Sequence, residues 1–373
     1  MAAAPTRFQI GVMLGDDIGP EIVPQAVAVL RAAASRESGL ELEFHDFPVG
    51  WSSYLANGHT LPEETLTGLA PMDGIILGPI GHAAYPRDRA EAVNPHPIIR
   101  RHFDLFANLR PARSHPSLPH LHSDVDILVV RENNEGFQPD RNMLAGSGEF
   151  QPTEDNAFSV RVITKRQSER IARVAFEAAR NRDAKKLVTA IHKRTVFKLT
   201  DGLFMDTVDS VAQDYPDIEL NDHQVDTAAL HLVMRPRDFD VVLCTNLFGD
   251  ILSDLTAGLV GGMGLAAGLS AGDSLAMAQA THGSAPDIAG RSIANPHAMI
   301  VSAKMLLEWL YSKHRDPRLL QAARRIDAAI DQTLTEGKYL TPDVGGTAST
   351  EEAGEALADR CTTIEIDHFD GKG

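Results

Sequence analysis

The sequence has little cysteine and no long apolar run. These two absences argue against a secreted protein and against a membrane-spanning one. Its two cysteines, Cys244 and Cys361, have no metal-ligand spacing, so a reducing, cytoplasmic compartment fits best. The first residues lack the basic stretch and long apolar core of a secretory signal. No apolar run reaches the length of a membrane span. We therefore expect a cytoplasmic protein with no membrane partner.

Positive charge is also scarce. The chain has 35 Lys and Arg against 51 Asp and Glu, a formal net charge of -16. This balance argues against a general nucleic-acid or membrane-surface binder. It also means that an anionic substrate would need a local cluster of arginines. With 373 residues, of which 43% are hydrophobic, the chain can form one large globular domain or two ordinary ones.

Short apolar segments alternate with amphipathic helical patterns, which predicts a three-layer α/β protein with a substantially parallel sheet. Strands are predicted at 8–14, 74–79, 126–130, 187–191 and 239–245. Residues 139–156 are predicted to be a loop or projecting arm, and 157–164 a strand. Ser168 is predicted to cap the helix that follows, and Ser349 with Glu352 has capping-box spacing before the last helix.

The segment 239–264 contains the most informative pattern. A buried strand is followed by a helix on which Asp250 and Asp254, four residues apart, share one face. The pair lies just beyond the carboxyl end of a strand, where open α/β sheets bind ligands. Two such carboxylates supply half of a site for Mg²⁺ or Mn²⁺. The alternative is that both acids only complement the helix dipole.

Arginines concentrate in the segment NPHPIIRRHFDLFANLRPARS. Four fall within fourteen positions: Arg100, Arg101, Arg110 and Arg113. Arginine suits two-point binding of carboxylates. A solvated basic face is the usual alternative for such a run, but Arg110 lies within the apolar sequence LFANLRP.

Three further residues lie next to predicted strands or helices, and the sequence allows two roles for each of them. Arg131 directly follows a strand and is either a third carboxylate ligand or a salt-bridge partner of a neighbouring glutamate. Lys193 follows another strand and is either a general base with a lowered pKa or an ordinary surface lysine. Asp226 precedes a helical segment and either caps that helix or ligates a metal ion.

Taken together, these segments resemble the β-decarboxylating dehydrogenases, the family of isocitrate, isopropylmalate and tartrate/D-malate dehydrogenases. Six blocks occur in the family's order: GDDIGPE, FANLRP, VRENNEG, HKRTVFKLTDGLF, NLFGDILSD and HGSAPDIAG. The resemblance implies the α/β, three-layer isocitrate/isopropylmalate dehydrogenase-like fold, with the active-site cleft between two domains. The large domain would comprise 1–104 and 261–373, and the small, dimerising domain 105–260.

The resemblance also implies a role for each matching residue in a homodimer whose active sites are shared between subunits. The substrate, a small anionic hydroxy acid, would be held by Arg100, Arg110 and Arg131. Asp250 and Asp254 would bind Mg²⁺ or Mn²⁺ with Asp226 of the other subunit, whose Lys193 would take the hydroxyl proton. The NAD adenosine would be bound by His282, Gly283, Ser284, Ala285, Asp287 and Asn295, with the Asp287 carboxylate selecting NAD over NADP.

The chain departs from the family at the position that normally carries a catalytic tyrosine, which here is Gln138. An amide cannot act as a practical general acid. Arg194 and Thr195 also replace the usual residues at a nicotinamide contact. Two alternatives follow: a non-catalytic regulatory or ligand-binding homologue, or an oxidising enzyme with impaired decarboxylation or protonation.

Substrate choice in the family depends on residues just before the first arginine, here Asn94 and His96. This polar pair suits a hydroxyl or carboxylate better than the isopropyl group that aliphatic residues bury. An isocitrate-like or tartrate/D-malate-like substrate is therefore favoured over 3-isopropylmalate.

Overall fold

Ten strands of the chain form one continuous sheet in the computed structural model, which describes residues 6–137, 146, 148–182 and 184–367. In chain order the described strands are β1 Thr6–Met13, β2 Leu40–Asp46, β3 Gly74–Leu77, β4 Ala107–Arg113, β5 Asp126–Glu132, β6 Glu149–Thr153, β7 Asn156–Ser159, β8 Leu187–His192, β9 Glu219–Gln224, β10 Val241–Cys244, β11 Leu269–Ala271 and β12 Ala276–Ala278. All except β6 and β7 belong to the large sheet.

Helices connect these strands and cover both faces of the sheet. Those of the described residues are α1 Gly19–Ser35, α2 Gly50–Asn57, α3 Glu63–Leu69, α4 Pro95–His102, α5 Lys165–Arg182, α6 Thr200–Ala212, α7 Val225–Met234, α8 Asn246–Val260, α9 His297–His314, α10 Pro317–Glu336 and α11 Thr350–Thr363. None of them is both long and apolar enough to cross a membrane.

The strand order is β2-β1-β3-β12-β11-β4-β5-β10-β8-β9. Pairing is parallel at both ends of the sheet and antiparallel at its centre, between β12, β11, β4 and β5. One apolar core packs α1, α9 and α10 against the β1 side, and others pack α5 with α6 and α7 with α8 on opposite faces of the β5–β10–β8 side. The predicted three-layer α/β architecture is confirmed.

The two ends of the sheet come from different parts of the chain. Strands β2, β1, β3, β12 and β11 lie within 1–104 and 261–373, whereas β4, β5, β10, β8 and β9 lie within 105–260. The domain boundaries themselves remain a prediction. Their proposed junction falls where β11 pairs with β4, close to the arginines described below.

Strands β6 and β7 form a separate antiparallel pair in which every residue is exposed. Phe150 and Phe158 stack on it with ring centroids 5.2 Å apart. The prediction of a strand over 157–164 was wrong in extent, since β7 ends at Ser159 and Val162 beyond it forms an isolated antiparallel bridge with Gly136. Because an isolated two-stranded ribbon is marginally stable in water, this pair needs a further surface to pack on.

Local capping was predicted correctly at one helix and wrongly at another. Ser349 and Glu352 form both hydrogen bonds of a capping box at the start of α11. Ser168, predicted to be a cap, lies inside α5, which begins at Lys165, and its hydroxyl donates to the Thr164 carbonyl. The Thr164 hydroxyl instead accepts from the Gln167 N–H at 3.2 Å. The prediction chose the wrong residue because Thr164 and Ser168, four positions apart, are both residue types that cap helices.

Candidate functional site

The candidate site begins on one face of the central strands. Asn108 is paired with Arg131 across β4 and β5, and Arg110 lies two residues further along β4. Because side chains alternate along a strand, all three project from the same face. Arg100 joins them from α4, whose first turn is capped by Asn94 accepting from the His96 N–H at 3.1 Å.

These residues line a cleft of about 500 Å³ together with Asp250 and Gln279. Arg100, Arg110 and Arg131 are each buried, with 3–8% of their surface exposed. Burying three guanidinium groups together is unfavourable unless anions or hydrogen bonds compensate. The structure thus brings the three predicted substrate arginines into one pocket.

Asp250 and Asp254 of α8 supply the anions in the unliganded chain. The Arg131 Nη1 lies 2.5 Å from the Asp250 Oδ1, and the Arg110 Nη1 lies 3.3 Å from the same oxygen and 3.6 Å from Asp254. Burial lowers the pKa of Arg110, an effect that the two aspartates oppose. Within the described part of the chain, this cluster therefore combines three arginine cations with two aspartate anions.

The guanidinium groups of Arg131 and Arg110 are also held by hydrogen bonds to uncharged side chains. Arg131 donates through Nε and Nη2 to the Asn246 Oδ1, at 3.0 and 2.6 Å. Arg110 donates to the Asn108 Oδ1 at 2.6 Å and to the Ser253 hydroxyl at 2.7 Å. Arginines held this way present a preorganised surface to carboxylates.

Gln279, which sequence reasoning missed, connects Arg100 with His96. Its Oε1 accepts from the Arg100 Nη2 at 3.2 Å, so its Nε2 faces the His96 Nε2 at 2.6 Å. Because an amide nitrogen only donates, the His96 Nε2 is the acceptor of this hydrogen bond. The wall that contains Asn94 and His96 is therefore polar. The only sequence signal was a glutamine directly after the apolar strand β12.

Lys193 and Asp226 lie together, but away from the other predicted site residues. The Lys193 Nζ donates to the Asp226 Oδ1 at 2.6 Å, which lowers the pKa of Asp226. Asp226 is in the first turn of α7, where Gln224 occupies the N-cap position. Neither residue lines the arginine cleft. Among the described residues, no three His, Cys, Asp or Glu side chains gather where they could hold a metal ion.

A second cleft of about 410 Å³ adjoins the first, since His282 and Gly283 line both. Ala285, Asn295 and the apolar Ile18 also line it. The His282 Nδ1 lies 2.9 Å from the Gly283 carbonyl, and its buried Nε2 has no hydrogen-bond partner within the part of the chain that the structure describes. Burial lowers the pKa of His282, which favours the neutral ring.

The other predicted cofactor residues have different surroundings. Ser284 is buried, and its carbonyl accepts from the Ile18 N–H at 3.2 Å. Asp287 is exposed and does not line this cleft. Thr195 donates its hydroxyl to Gln224. Gln138, the replacement for the family tyrosine, lies outside the described residues.

Gly249 is required by the packing of Arg131, which gives a first testable prediction. A Cβ at Gly249 would lie 2.6 Å from the Arg131 Cγ and 3.2 Å from the Cys244 Cβ. Because Arg131 is held by its own hydrogen bonds, we expect Gly249→Ala to lower the free energy of unfolding by about 1–3 kcal/mol. Urea denaturation of both proteins would measure this change in the free energy of unfolding.

The matched control is Gly258→Ala on the same helix, where an added Cβ meets no atom within 4 Å. We expect this variant to raise stability by about 0.5–1 kcal/mol, since alanine favours helix. Equal shifts in the two variants would contradict the packing argument.

Glu132 gives a prediction about pH. Burial, and after it the negative charge of Glu135, raises the pKa of Glu132 to about 7 from its ordinary value of 4.5. Between these values the folded state binds more protons than the unfolded state, so this group makes stability fall as pH rises. Over the whole range, this group lowers the free energy of unfolding by about 3 kcal/mol.

We expect the stability of Glu132→Gln to fall less than that of the wild type between pH 5 and pH 8. The Asn134 and Glu135 N–H groups each donate to one Glu132 carboxyl oxygen, and because an amide nitrogen cannot accept, the variant should lose one of these hydrogen bonds at both pH values. Chemical denaturation at both pH values measures the difference, with the exposed Glu355→Gln as control. Parallel curves for wild type and Glu132→Gln would refute the prediction.

Comparison with known proteins connects this geometry to a family. Residues 9–357 match the family model described as isocitrate/isopropylmalate dehydrogenase. The chain is 42% identical over 360 residues to the isocitrate/homoisocitrate dehydrogenase of Thermus thermophilus, covering 96% of this chain and 99% of that protein. It is 40% identical over 351 residues to the 3-isopropylmalate dehydrogenase of Methanothermobacter thermautotrophicus, covering 94% and 98%. The crystal structure of isocitrate dehydrogenase from Methylococcus capsulatus superimposes with a TM-score of 0.83 at 37% identity, covering 95% of this chain and all of that one.

Proposed function

Because the chain belongs to the isocitrate/isopropylmalate dehydrogenase family, we propose that it is an NAD-dependent and divalent-metal-dependent enzyme. The reaction is the oxidative decarboxylation of a 2-hydroxy acid bearing a 3-carboxylate. The observation that carries the proposal is the cleft in which three buried arginines face Asp250. Such a pocket is matched to a small molecule with more than one carboxylate.

Each residue of the cleft has a role in this reaction. Arg100, Arg110 and Arg131 bind the substrate carboxylates and fix the orientation of the carbon that loses hydride. Mg²⁺ or Mn²⁺ held by Asp250, Asp254 and the partner's Asp226 would acidify the substrate hydroxyl and stabilise developing negative charge. The partner's Lys193 would take the hydroxyl proton, and bound NAD would supply the hydride acceptor.

A homodimer accounts for the separation of Lys193 and Asp226 from the arginines. The surfaces around Lys193, Asp226 and Asp250 expose several large apolar side chains, and such exposure to water is unfavourable. They are Val196, Leu199, Leu203, Leu230, Val233, Met234 and Ile251. Covering them with a second copy would bring one subunit's Lys193 towards the other's Asp250. The exposed β6–β7 pair is a further candidate contact.

The cofactor assignment follows from the second cleft. An adenine ring fits the apolar walls formed by Ile18, Ile288 and Ile293. Asp287 would accept from the ribose hydroxyls and repel a 2′-phosphate, which favours NAD over NADP.

The substrate assignment rests on the polar wall beside Arg100. An isopropyl group would cover the polar side chains of Asn94, His96 and Gln279 without offering them a hydrogen bond. We therefore favour an isocitrate-like or tartrate/D-malate-like acid over 3-isopropylmalate.

The test follows NADH absorbance and CO₂ release together, with NAD or NADP, Mn²⁺, and each of D-malate, tartrate, isocitrate and 3-isopropylmalate. EDTA-sensitive formation of NADH with equal CO₂ is the expected result. NADH without CO₂ would identify an oxidising enzyme limited by Gln138, and Gln138→Tyr should then increase CO₂ release. Binding of NAD and acid without any turnover would instead identify the non-catalytic homologue.

A further inference from the structure

A buried ion pair lies beneath the loop that carries Lys193. The Arg161 Nη1 is 2.6 Å from the Asp201 Oδ1, with 6% and 0% of the two side chains exposed. The cost of desolvating two charges offsets much of their attraction, so a buried ion pair adds little to the stability of the fold. The contacts of its remaining atoms show what it holds.

The second oxygen of Asp201 binds the backbone of Lys193. The Asp201 Oδ2 accepts from the Lys193 N–H at 2.5 Å, while the Lys193 side chain reaches Asp226. Asp201 therefore fixes the backbone position from which the Lys193 side chain projects. Arg161 lies against the other oxygen as an ion pair that makes no hydrogen bond among the described residues, and its charge favours this orientation of the Asp201 carboxylate.

Arg161 is itself held from several sides. It donates to the hydroxyls of Thr200 at 3.0 Å and Thr245 at 3.3 Å. Three phenyl rings surround its guanidinium carbon at 4.9–5.5 Å, namely those of Phe137, Phe197 and Phe248. Thr245 precedes α8 and Phe248 lies in it, so one guanidinium group contacts both the Lys193 loop and the helix of Asp250 and Asp254.

We propose that Asp201 and Arg161 are positioning residues that set the placement of Lys193 relative to α8. The proposal rests on the proposed role of Lys193 as the proton acceptor. Since Lys193 would serve the partner's site while α8 serves its own subunit, the pair connects the two half-sites of one chain. Neither residue was identified as functional by the sequence reasoning.

Asp201→Asn tests this directly. Both neighbours of the carboxylate are donors, whereas an asparagine offers one acceptor and one donor, so one contact must be lost. We expect kcat to fall about 10- to 100-fold, as for small misplacements of a catalytic group, with KM and NAD binding nearly unchanged. Arg161→Gln should produce the same pattern, and the double variant should be no worse than either single one.

Asp240→Asn is the matched control. Asp240 is also fully buried, lies 3.0 Å from the Arg182 Nε and accepts from a lysine backbone N–H, that of Lys185, at 3.2 Å. It directly precedes β10, at the end of the strands opposite to Lys193. We expect Asp240→Asn to lower Tm as Asp201→Asn does while leaving kcat intact.

Amide hydrogen exchange of the intact protein gives a readout that does not need turnover. Asp201→Asn should speed exchange at the Lys193 amide, and Asp240→Asn should not. Unchanged exchange at Lys193, or equal losses of kcat in the two variants, would overturn the proposal. If the wild-type protein lacks turnover, the proposed function fails, and the exchange measurement still decides whether Asp201 positions Lys193.

Discussion

Mixing two inactive variants, Lys193→Met and Asp254→Asn, should restore about a quarter of wild-type activity after subunit exchange. Alone, Lys193→Met should lower kcat by about 10²- to 10⁴-fold, because it removes the proposed proton acceptor. The basis is the separation seen in the chain: Lys193 pairs with Asp226 outside the cleft that Asp250 and the arginines share.

The expected recovery follows from how a shared site combines defects. In a mixed dimer, one site takes its arginines and Asp254 from the Lys193→Met chain and its lysine from the other chain, so it is intact. The second site carries both defects. Random pairing makes half of the dimers mixed, and each has one working site of two, which gives about a quarter.

A second mixture provides the control. Lys193→Met and Asp226→Asn both damage the half-site that is donated to the partner, so each site of their mixed dimer keeps one defect. We expect no recovery from this pair. Recovery there, or none from Lys193→Met with Asp254→Asn, would exclude the shared-site arrangement. Activity would be followed against time after mixing, with size-exclusion chromatography to confirm dimers.

Elements governed by local chemistry could be predicted from the sequence. The capping box of Ser349 and Glu352 depends on residues three apart and was found. The helix after β10, with Asp250 and Asp254 on one face, likewise depends on a short pattern. Ser168 was misassigned because a second hydroxyl residue, Thr164, lies one turn earlier.

Partnerships between distant residues could not be predicted. Gln279 and Arg100 are 179 positions apart, and neither has a local pattern that indicates the other. The pair Arg161 and Asp201 depends on how the segment before α5 lies against the start of α6, which no single segment encodes. A site divided between two copies is harder still, because the periodicity of one chain contains no information about which surface meets its partner.

The other large effect is expected at Asp250, where the metal-dependent and substrate-dependent parts of the proposed site meet. Asp250→Asn should lower kcat/KM by about a thousandfold, since several kcal/mol of charge stabilisation would be lost with a metal ligand. Its Oδ1 is bound by Arg131 at 2.5 Å and Arg110 at 3.3 Å. A cation therefore competes with two guanidinium groups for this carboxylate.

Substrate carboxylates would relieve that competition by taking over the arginines. We therefore expect Mn²⁺ and the hydroxy acid to tighten each other's binding by about 5- to 150-fold, with the same factor in both directions. Calorimetric titration of Mn²⁺ with and without the acid, in the absence of NAD, measures this factor. In Asp250→Asn the factor should approach one, while the acid alone should bind at least as tightly as to wild type because its arginines are freed.

Ser253→Ala distinguishes charge competition from general disturbance of the cleft. It removes the 2.7 Å hydrogen bond from Arg110 but keeps both carboxylates. The mutual tightening should therefore survive in Ser253→Ala. If wild-type Mn²⁺ binding is indifferent to the acid, the arginines do not restrain Asp250 in solution. If Asp250→Asn keeps full metal-dependent turnover, the cation is bound elsewhere, and the carboxylate serves only to balance the charge of Arg110 and Arg131.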